Sequence, residues 1–340
     1  MALTSIKLEN FTTFRNLELE FSSGINIFIG ENGTGKTHLM KAAYAAAALG
    51  NEHETSFAQK LIDVFIPHER RLGRLARRQN KSITSRILVR SDQARIGTSF
   101  SNHTKVAASA TQVNKKWFGS SESSSIYIPV KEILANAPGF RSMYAKREVE
   151  FDATYDDILE QAYLPLLRGP KNKKHRDLLD RIETAITGKV IIKGEKFFLK
   201  NKHGELEFAL LAEGWRKLGL IWQLVQNGAL WSGSILFWDE PETNLNPKLI
   251  KTLIGVLLEL QRQGVQIFIV THDYTVLKWL ELLAEHDDDI QFHSLWRNEQ
   301  NEINFESAES FSRISKNSIN DTFGEIFDVD VARSFEDVKI

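Results

Sequence analysis

The chain has 340 residues, of which 42% are hydrophobic and 26% charged, and its formal net charge is −1. This length allows one large α/β domain or a core domain with an inserted lobe. Cysteine is absent, which excludes disulfides, thiolate zinc sites and cysteine nucleophiles. The start has no basic region followed by an apolar run, and no later stretch is apolar enough to span a bilayer. We therefore expect a cytoplasmic protein that does not contact a membrane.

The first predicted element is a β-hairpin. Residues 4–21 alternate between apolar and polar side chains around a turn at residues 10–15. Its tip carries Phe11, Phe14 and Arg15, which are candidates for contact with a nucleotide base; the alternative is that the aromatic side chains pack internally.

The next stretch matches the phosphate-binding loop pattern G-x-x-x-x-G-K-[ST], between an apolar strand at residues 25–29 and a helix that stops at Gly50. Triphosphate oxygens need several backbone N–H groups, and glycines let the backbone approach closely with positive φ. Lys36 can contact the β- and γ-phosphates, and the Thr37 hydroxyl can bind Mg²⁺ at the helix N-terminus. The predicted ATP-binding residues are Gly30, Glu31, Asn32, Gly33, Thr34, Gly35, Lys36 and Thr37.

The middle of the chain predicts an insertion between two halves of one nucleotide-binding domain. Residues 68–118 hold 12 Lys and Arg against two carboxylates, which indicates either a surface that follows a nucleic-acid backbone or a solvated face. A buried-type strand at 125–128 precedes Lys131 and Glu132, which are candidates for sensing the γ-phosphate. The predicted domains are a discontinuous core, residues 1–50 and 206–340, and an inserted mixed lobe that is basic in part, residues 51–205.

Two acids end a second buried strand, and a histidine follows a third. Four apolar residues precede Asp239 and Glu240, as in a parallel strand that delivers carboxylates at its C-terminal end. Asp239 is suited to hold Mg²⁺, usually through water, and Glu240 to polarise the attacking water. His272 follows the strand at 265–270 and can reach the γ-phosphate; a structural histidine is the alternative. The predicted catalytic residues are Glu240, His272 and Lys36.

Together these motifs resemble the ABC-type ATPase heads of the SMC, RecF and OLD group. The resemblance is carried by residues 6–11, 21–26, 30–37, 239–247 and 271–273. More narrowly, the chain is similar to stand-alone bacterial AAA-family ATPases, many of them found in phage-defence or toxin-like operons. The resemblance implies an α/β fold, a P-loop NTPase of the ABC-ATPase (RecF/SMC head) type with a large inserted α/β lobe.

The resemblance also implies a head-to-tail homodimer, or a higher homo-oligomer, with composite ATP sites. Gly214, in the family's signature loop, would face the site of the opposed protomer, and Asn244 would cross the interface. The signature serine is replaced by Ala212, and we expect Arg216 or Lys217 to compensate. ATP and Mg²⁺ would close the dimer, and hydrolysis would release it. A separate effector protein and DNA or another nucleic acid are the expected partners.

The leading prediction is an ATP-dependent dimer switch in phage defence or DNA maintenance. A nucleotide-binding subunit of an ABC transporter, a DNA-repair ATPase without an effector, and a scaffold that binds ATP without turnover remain alternatives. So does an OLD-like nuclease, although only about 55 residues follow the last ATPase element and a nuclease domain normally needs ~100. The acidic cluster there, residues 286–289, is predicted to be a solvated helix end.

Overall fold

The computed structural model describes residues 2–51, 55–113, 124–169 and 172–336. Within these ranges the chain forms fourteen β-strands and nine α-helices. The strands are β1 (Leu3–Phe11), β2 (Phe14–Glu20), β3 (Ile25–Gly30), β4 (Thr84–Ser91), β5 (Arg95–Ser101), β6 (Thr111–Val113), β7 (Ser125–Ile128), β8 (Lys189–Lys193), β9 (Lys196–Asn201), β10 (Gly204–Glu207), β11 (Ile235–Asp239), β12 (Gln266–Val270), β13 (Ile290–Arg297) and β14 (Ile303–Ala308). The helices are α1 (Lys36–Ala47), α2 (Phe57–Phe65), α3 (Phe140–Ala145), α4 (Ala153–Ala162), α5 (Lys173–Ile186), α6 (Glu213–Gln226), α7 (Pro247–Arg262), α8 (Tyr274–Leu283) and α9 (Ser318–Glu336).

A six-stranded sheet lies at the centre, with the strand order β14-β13-β3-β12-β11-β7. Its five strands from β13 to β7 are parallel, and β14 pairs antiparallel at one edge. Strands β11 and β12 are buried along their whole length, because both faces of the sheet are covered. Alternate side chains therefore enter two cores, as Ile27 and Phe28 do in β3.

The two cores correspond to two outer layers. On the face of Phe28 lie α1, α2 and a five-stranded antiparallel sheet of order β2-β1-β4-β5-β6. On the face of Ile27 lie helices α3 to α8 and a three-stranded sheet of order β10-β9-β8. The parallel strands thus all point their carboxyl ends at one edge, where the loops that follow them come together.

The predicted domain boundaries at residues 51 and 205 do not follow the sheets, which corrects that expectation. Strands β4 to β6 lie inside this range but extend the β1–β2 hairpin, with Ile6 opposite Val89. Strand β7 joins the central sheet, with Tyr127 opposite Phe237. A two-stranded hairpin alone is marginally stable, so the later strands complete the layer that covers α1. Part of the basic stretch, residues 114–118, lies outside the described residues.

Helix ends follow local chemistry. Helices α2, α4, α5, α7 and α8 begin at side chains that accept a hydrogen bond from a first-turn N–H, a contact that stabilises a helix by about 1 kcal/mol. The capping residues are Ser56, Asp152, Asn172, Asn246 and Asp273. Helix α4 ends at Ala162, three residues before Pro165, which disfavours helical backbone in the residue before it. Among the described residues, no helix is both long enough and apolar enough to cross a membrane.

Candidate nucleotide site

A cavity of about 240 Å³ lies where β3, β11 and β12 end. Its lining comes from the predicted phosphate loop and from the ends of the two later strands, although these segments are far apart in sequence. The lining residues are Thr13, Asn32, Gly33, Gly35, Lys36, Thr37, His38, Glu240, Val270 and His272. The carboxyl ends of neighbouring parallel strands meet at one edge, which is where α/β proteins bind ligands. The cavity therefore brings the predicted catalytic residues to one place.

Two loop glycines are required by the protein around them. Gly30 has φ +132°, and a Cβ there would lie 2.0 Å from the carbonyl oxygen of Leu295 in β13. Gly35 has φ +93°, and its Cβ would lie 2.6 Å from Phe14 Cζ and from Thr13 Cγ2 in the hairpin. The loop is thus pressed between β13 and the hairpin, and side chains at these two positions would force it out of place.

The Lys36 ammonium hydrogen-bonds to the backbone of the phosphate loop. Its Nζ donates to the carbonyl oxygens of Gly30 at 2.6 Å and Glu31 at 2.9 Å. Burial lowers the pKa of Lys36, while the carboxylates of Glu240 and Asp239 act in the opposite direction. The loop is further closed by Thr34, whose Oγ1 donates to the Glu31 carbonyl at 2.8 Å. A cation is therefore fixed at the helix N-terminus, the position from which it can meet a phosphate.

Thr37 and Asp239 supply neighbouring oxygen atoms. Thr37 Oγ1 lies 3.3 Å from Asp239 Oδ1, and Asp239 is 4% exposed. Burial raises the pKa of Asp239, and hydrogen bonds from Tyr127 and Thr37 act against this shift. Among the described residues no group of three His, Cys, Asp or Glu could hold a metal by itself. A hydroxyl and one carboxylate fit Mg²⁺, which commonly takes few protein oxygens and completes its shell with phosphate and water.

Glu240 and His272 form a close pair, with Nε2 of the imidazole 2.6 Å from Oε1 of the carboxylate. Glu240 has a left-handed φ of 48°, which costs a non-glycine residue about 1 kcal/mol or more. The conformation is held by the Glu240 N–H, which donates to the Val270 carbonyl at 2.9 Å, and by Thr243 Oγ1, which donates to Glu240 Oε2 at 3.2 Å. The carboxylate that sequence predicts as catalytic is thus contacted on both oxygens, and a third hydrogen bond holds the backbone that carries it.

Gly214 and Asn244 lie together but outside this cavity. Asn244 Nδ2 donates to Glu213 Oε2 at 3.0 Å, and a Cβ on Gly214 would lie 2.8 Å from Leu245 Cδ1. The start of α6 therefore packs on the segment that follows Glu240. Their predicted contact with an opposed protomer stays a prediction.

The predicted substitutes for the signature serine are engaged within their own chain. Arg216 Nε lies 2.7 Å from Glu132 Oε2, and the Glu132 side chain is 2% exposed. Lys217 is also 2% exposed, and its Nζ donates to the Thr243 carbonyl at 2.6 Å. A lysine buried in this way cannot reach a second protomer, so that expectation is wrong for Lys217. Glu132 serves as the partner of Arg216 and does not line the cavity.

The hairpin contributes less to the site than predicted. Phe11 and Phe14 are 0% and 1% exposed, so these side chains pack in the core, which was the alternative interpretation. Arg15 is exposed and pairs with Glu302 at 2.7 Å. Thr13 is the hairpin residue that lines the cavity.

Sequence reasoning missed several residues that hold the site. Arg297, at the end of β13, donates through Nη2 to the Gly33 carbonyl at 2.7 Å and to Thr13 Oγ1 at 3.0 Å. Glu242 Oε1 accepts from Thr271 Oγ1 at 2.7 Å and from the backbone N–H of His272 at 3.3 Å. Neither side chain was predicted to hold the site, because the role of each comes from a contact between segments that are distant in sequence.

Two residues of the acidic cluster at 286–289 hydrogen-bond to distant parts of the chain. Asp288, with a side chain 2% exposed, accepts two hydrogen bonds from Arg262 at 2.8 and 2.7 Å. Asp289 accepts from Ser23 Oγ at 2.7 Å. The prediction of a solvated helix end is therefore wrong for Asp288 and Asp289, which bind residues that precede β12 and β3, whereas His286 and Asp287 are fully exposed.

Comparison with known proteins places the chain in context. A family model described as "AAA domain, putative AbiEii toxin, Type IV TA system" matches residues 50–278. The DNA replication and repair protein RecF of Bacillus mycoides (strain KBAB4) is 42% identical over 84 residues, which cover 25% of this chain and 22% of that protein. RecF of Listeria monocytogenes serotype 4b (strain CLIP80459) is 29% identical over 149 residues, 44% of this chain and 38% of that protein. The matches thus span well under half of these RecF proteins.

Solved structures give a corresponding result for the fold. An SMC head bound to the C-winged helix domain of ScpA superposes with a TM-score of 0.52 at 10% identity, over 92% of this chain and 99% of that one. The SMC head domain from Thermotoga maritima gives a TM-score of 0.45 at 12% identity, over 91% and 99%. The first of these likenesses supports the P-loop ATPase fold that the sequence predicts.

Proposed function

Because the chain belongs to this AAA-domain family and is an ABC-type ATPase of the SMC and RecF group, we propose that it hydrolyses ATP and uses the cycle to close and open a dimer. The observation that carries the proposal is the Glu240–His272 pair, 2.6 Å apart, in the cavity that Lys36 and Thr37 also line. A phosphate loop alone supports binding. A fixed carboxylate opposite that loop supports turnover.

Each residue has a role in the proposed reaction. Lys36 binds the β- and γ-phosphate oxygens. To do so, its ammonium gives up its hydrogen bonds to the loop carbonyls and donates to the phosphates instead. Glu240 orients the attacking water and accepts its proton. His272 donates from Nε2 to Glu240 and holds the carboxylate in line. Thr37 and Asp239 hold Mg²⁺, which neutralises phosphate charge when bound. The other loop residues, Gly30 to Gly35, enclose the phosphates.

The proposed dimer assigns Gly214 and Asn244 to the interface. Gly214 lies in the first turn of α6, and the neighbouring Asn244 is exposed; neither residue lines the cavity of its own chain, so this face can be placed against a second protomer. We place them in the opposed ATP site, where the N-terminus of α6 supplies backbone N–H groups to the γ-phosphate. Ala212 offers no hydroxyl there, so closure depends on backbone donors.

The proposed partners are a nucleic acid and a separate effector protein. The family description names a toxin of a type IV toxin–antitoxin system, and the RecF relatives are named for DNA replication and repair. These names favour a role in phage defence or DNA maintenance over one in a transporter. In the acidic cluster, Asp288 and Asp289 bind Arg262 and Ser23 and so have a structural role. We therefore assign the activity that follows ATP binding or hydrolysis to a separate effector protein and not to an OLD-like nuclease centre in this chain.

The nucleic acid is proposed to trigger the ATPase cycle by binding an arginine-lined groove of about 500 Å³. Arg74 and Arg78 line it, are exposed and have no carboxylate within 4 Å among the described residues, so their charges are free for phosphates. The groove adjoins the hairpin, since the Arg77 N–H donates to the Asn10 carbonyl at 2.8 Å. A nucleic acid bound there would touch the hairpin whose tip lines the ATP cavity.

The experiment is the solution mass of Glu240→Gln, measured by light scattering with and without Mg-ATP. The amide keeps the shape of the side chain but accepts a proton poorly, so we expect phosphate release to fall by a factor on the order of 10² to 10⁴ while ATP still binds. The variant should then double its mass with Mg-ATP. An unchanged mass in the presence of bound ATP would refute the dimer, and full ATPase activity would refute the role of Glu240.

A further inference from the structure

The Asp239 carboxylate is held by two hydroxyl groups, one on each oxygen. Thr37 Oγ1 lies 3.3 Å from Oδ1, and the Tyr127 hydroxyl donates to Oδ2 at 3.1 Å. Thr37 belongs to the phosphate-loop motif. Tyr127 belongs to no motif and lies 112 positions away from Asp239, on β7 at the edge of the central sheet. The hydrogen bond from Tyr127 therefore has no role in the proposed reaction as described above.

The ring of Tyr127 has little freedom to point elsewhere. The residue is 1% exposed, and its ring centroid lies 5.2 Å from that of Tyr44 and 6.4 Å from that of Phe237. The parallel register places Tyr127 opposite Phe237, two residues before Asp239. An ionised carboxylate only accepts hydrogen bonds, so the tyrosine is the donor. A rigid aromatic side chain thus carries one hydroxyl to one oxygen of the acid.

We propose that Tyr127 is a positioning residue that orients Asp239 toward the divalent cation of the bound metal–nucleotide complex. The inference rests on the proposed function, because it assigns the cation to Thr37 and Asp239. With Oδ2 tied to Tyr127, Oδ1 stays on the side of the Thr37 hydroxyl, and the two oxygens meet the cation together. Groups that hydrogen-bond a metal-binding side chain commonly change metal affinity by about 10- to 100-fold when they are removed.

The alternative is that Tyr127 only fills the core. Tyr127→Phe separates the two possibilities, because it keeps the ring and its packing against Tyr44 and Phe237 and removes the donor alone. The matched control is Tyr44→Phe, which also deletes a hydroxyl from this aromatic group, one that donates to the Asp157 carboxylate at 2.5 Å. Thermal unfolding of both variants establishes that they are folded.

The test titrates Mg²⁺ at a fixed concentration of a fluorescent ATP analogue and records the half-saturating Mg²⁺ concentration for nucleotide binding. A second readout is Mn²⁺ binding to the nucleotide-bound protein, followed by electron paramagnetic resonance. We expect Tyr127→Phe to need about tenfold more of either cation, with nucleotide affinity in EDTA unchanged. Tyr44→Phe should behave like the unmodified chain.

Each other outcome overturns the inference in a recognisable way. A folded Tyr127→Phe with an unchanged cation requirement refutes the positioning role and leaves the proposed ATPase intact. An equal loss of nucleotide affinity with and without cation shows that the tyrosine acts through packing. If the unmodified chain binds no nucleotide under either condition, the proposed function itself fails and the inference falls with it.

Discussion

Lys217→Met tests how the loop that carries Glu240 is held. Lys217 donates to the Thr243 carbonyl at 2.6 Å, lies 3.5 Å from the Glu240 carbonyl, and has its nearest carboxylate, Glu213, at 4.0 Å. The loop contains two non-glycine residues with left-handed φ, Glu240 at 48° and Asn244 at 59°, and each costs about 1 kcal/mol or more. A buried ammonium bonded to the carbonyls between them is well placed to keep the loop in this strained form.

The magnitude follows from those contacts. Methionine fills the space but leaves a buried carbonyl without a donor, which costs about 1–3 kcal/mol. Burial lowers the pKa of Lys217, so removal of the ammonium also relieves a desolvation cost, and we expect a net loss of about 1–2 kcal/mol in the free energy of unfolding. Release of the loop should matter more for catalysis, because a misplacement of ~1 Å can cost about 10²-fold in rate.

The assay is steady-state ATP hydrolysis together with nucleotide binding. We expect kcat to fall about 10- to 100-fold while the affinity for ATP stays within about twofold, because Lys217 does not line the cavity. Lys60→Met is the matched control: Lys60 is 4% exposed and pairs with Asp157 at 3.0 Å, away from the Glu240 loop. Wild-type turnover in Lys217→Met, or an equal loss of kcat in both variants, would refute the reasoning.

The remaining predictions concern acid stability and the arginine-lined groove. Burial lowers the pKa of His293 to about 3, so between roughly pH 6.5 and 3 the unfolded chain binds a proton that the folded chain does not, and stability falls as pH falls by up to about 1.4 kcal/mol per unit. Urea unfolding at pH 7.5 and 5.5 should show a steeper loss for the unmodified chain than for His293→Gln, and equal losses would contradict this. For the groove, the double variant Arg74→Glu with Arg78→Glu should weaken binding of single- and double-stranded oligonucleotides. The slope of log affinity against log salt should fall, for each phosphate that is no longer neutralised, by about 0.9 with duplex DNA and about 0.7 with single strands. The control double variant Lys196→Glu with Lys202→Glu makes the same charge change on the small sheet, and an equal effect there would show that the net charge of the chain matters and not the groove.

The parts of the site that sequence predicts are those whose chemistry dictates residue type and spacing. A triphosphate needs glycines, a lysine and a hydroxyl in one short loop, so residues 30–37 are recognisable without a structure. Asp239 and Glu240 are recognisable because a wholly apolar strand precedes them. These predictions depend on local sequence alone, and the cavity then gathers the loop, Glu240 and His272.

The residues that sequence misses are those whose role comes from a distant partner. Tyr127 looks like one more apolar residue of a buried strand, and its contact with Asp239 joins positions 112 apart. Lys217 did carry a signal, since it shares the buried stripe of α6 with Leu220, Ile221 and Leu224, where a lysine needs a polar partner. The predicted domain boundaries at residues 51 and 205 do not follow the sheets for the same reason, since no local pattern indicates that β4 pairs with β1.

The phosphate-loop glycines show why a motif and its function should be argued separately. At Gly30 and Gly35 a side chain would collide with Leu295 and with the hairpin, so glycine is required there by the fold before any ligand is considered. At Gly33 a Cβ would meet nothing within 4 Å, and only its φ of +78° favours glycine. The glycines therefore report mainly on how the loop packs between β13 and the hairpin. The argument for ATP chemistry depends instead on Lys36, whose ammonium lies at the N-terminus of α1, and on Glu240, whose strained backbone is held in place in the same cavity.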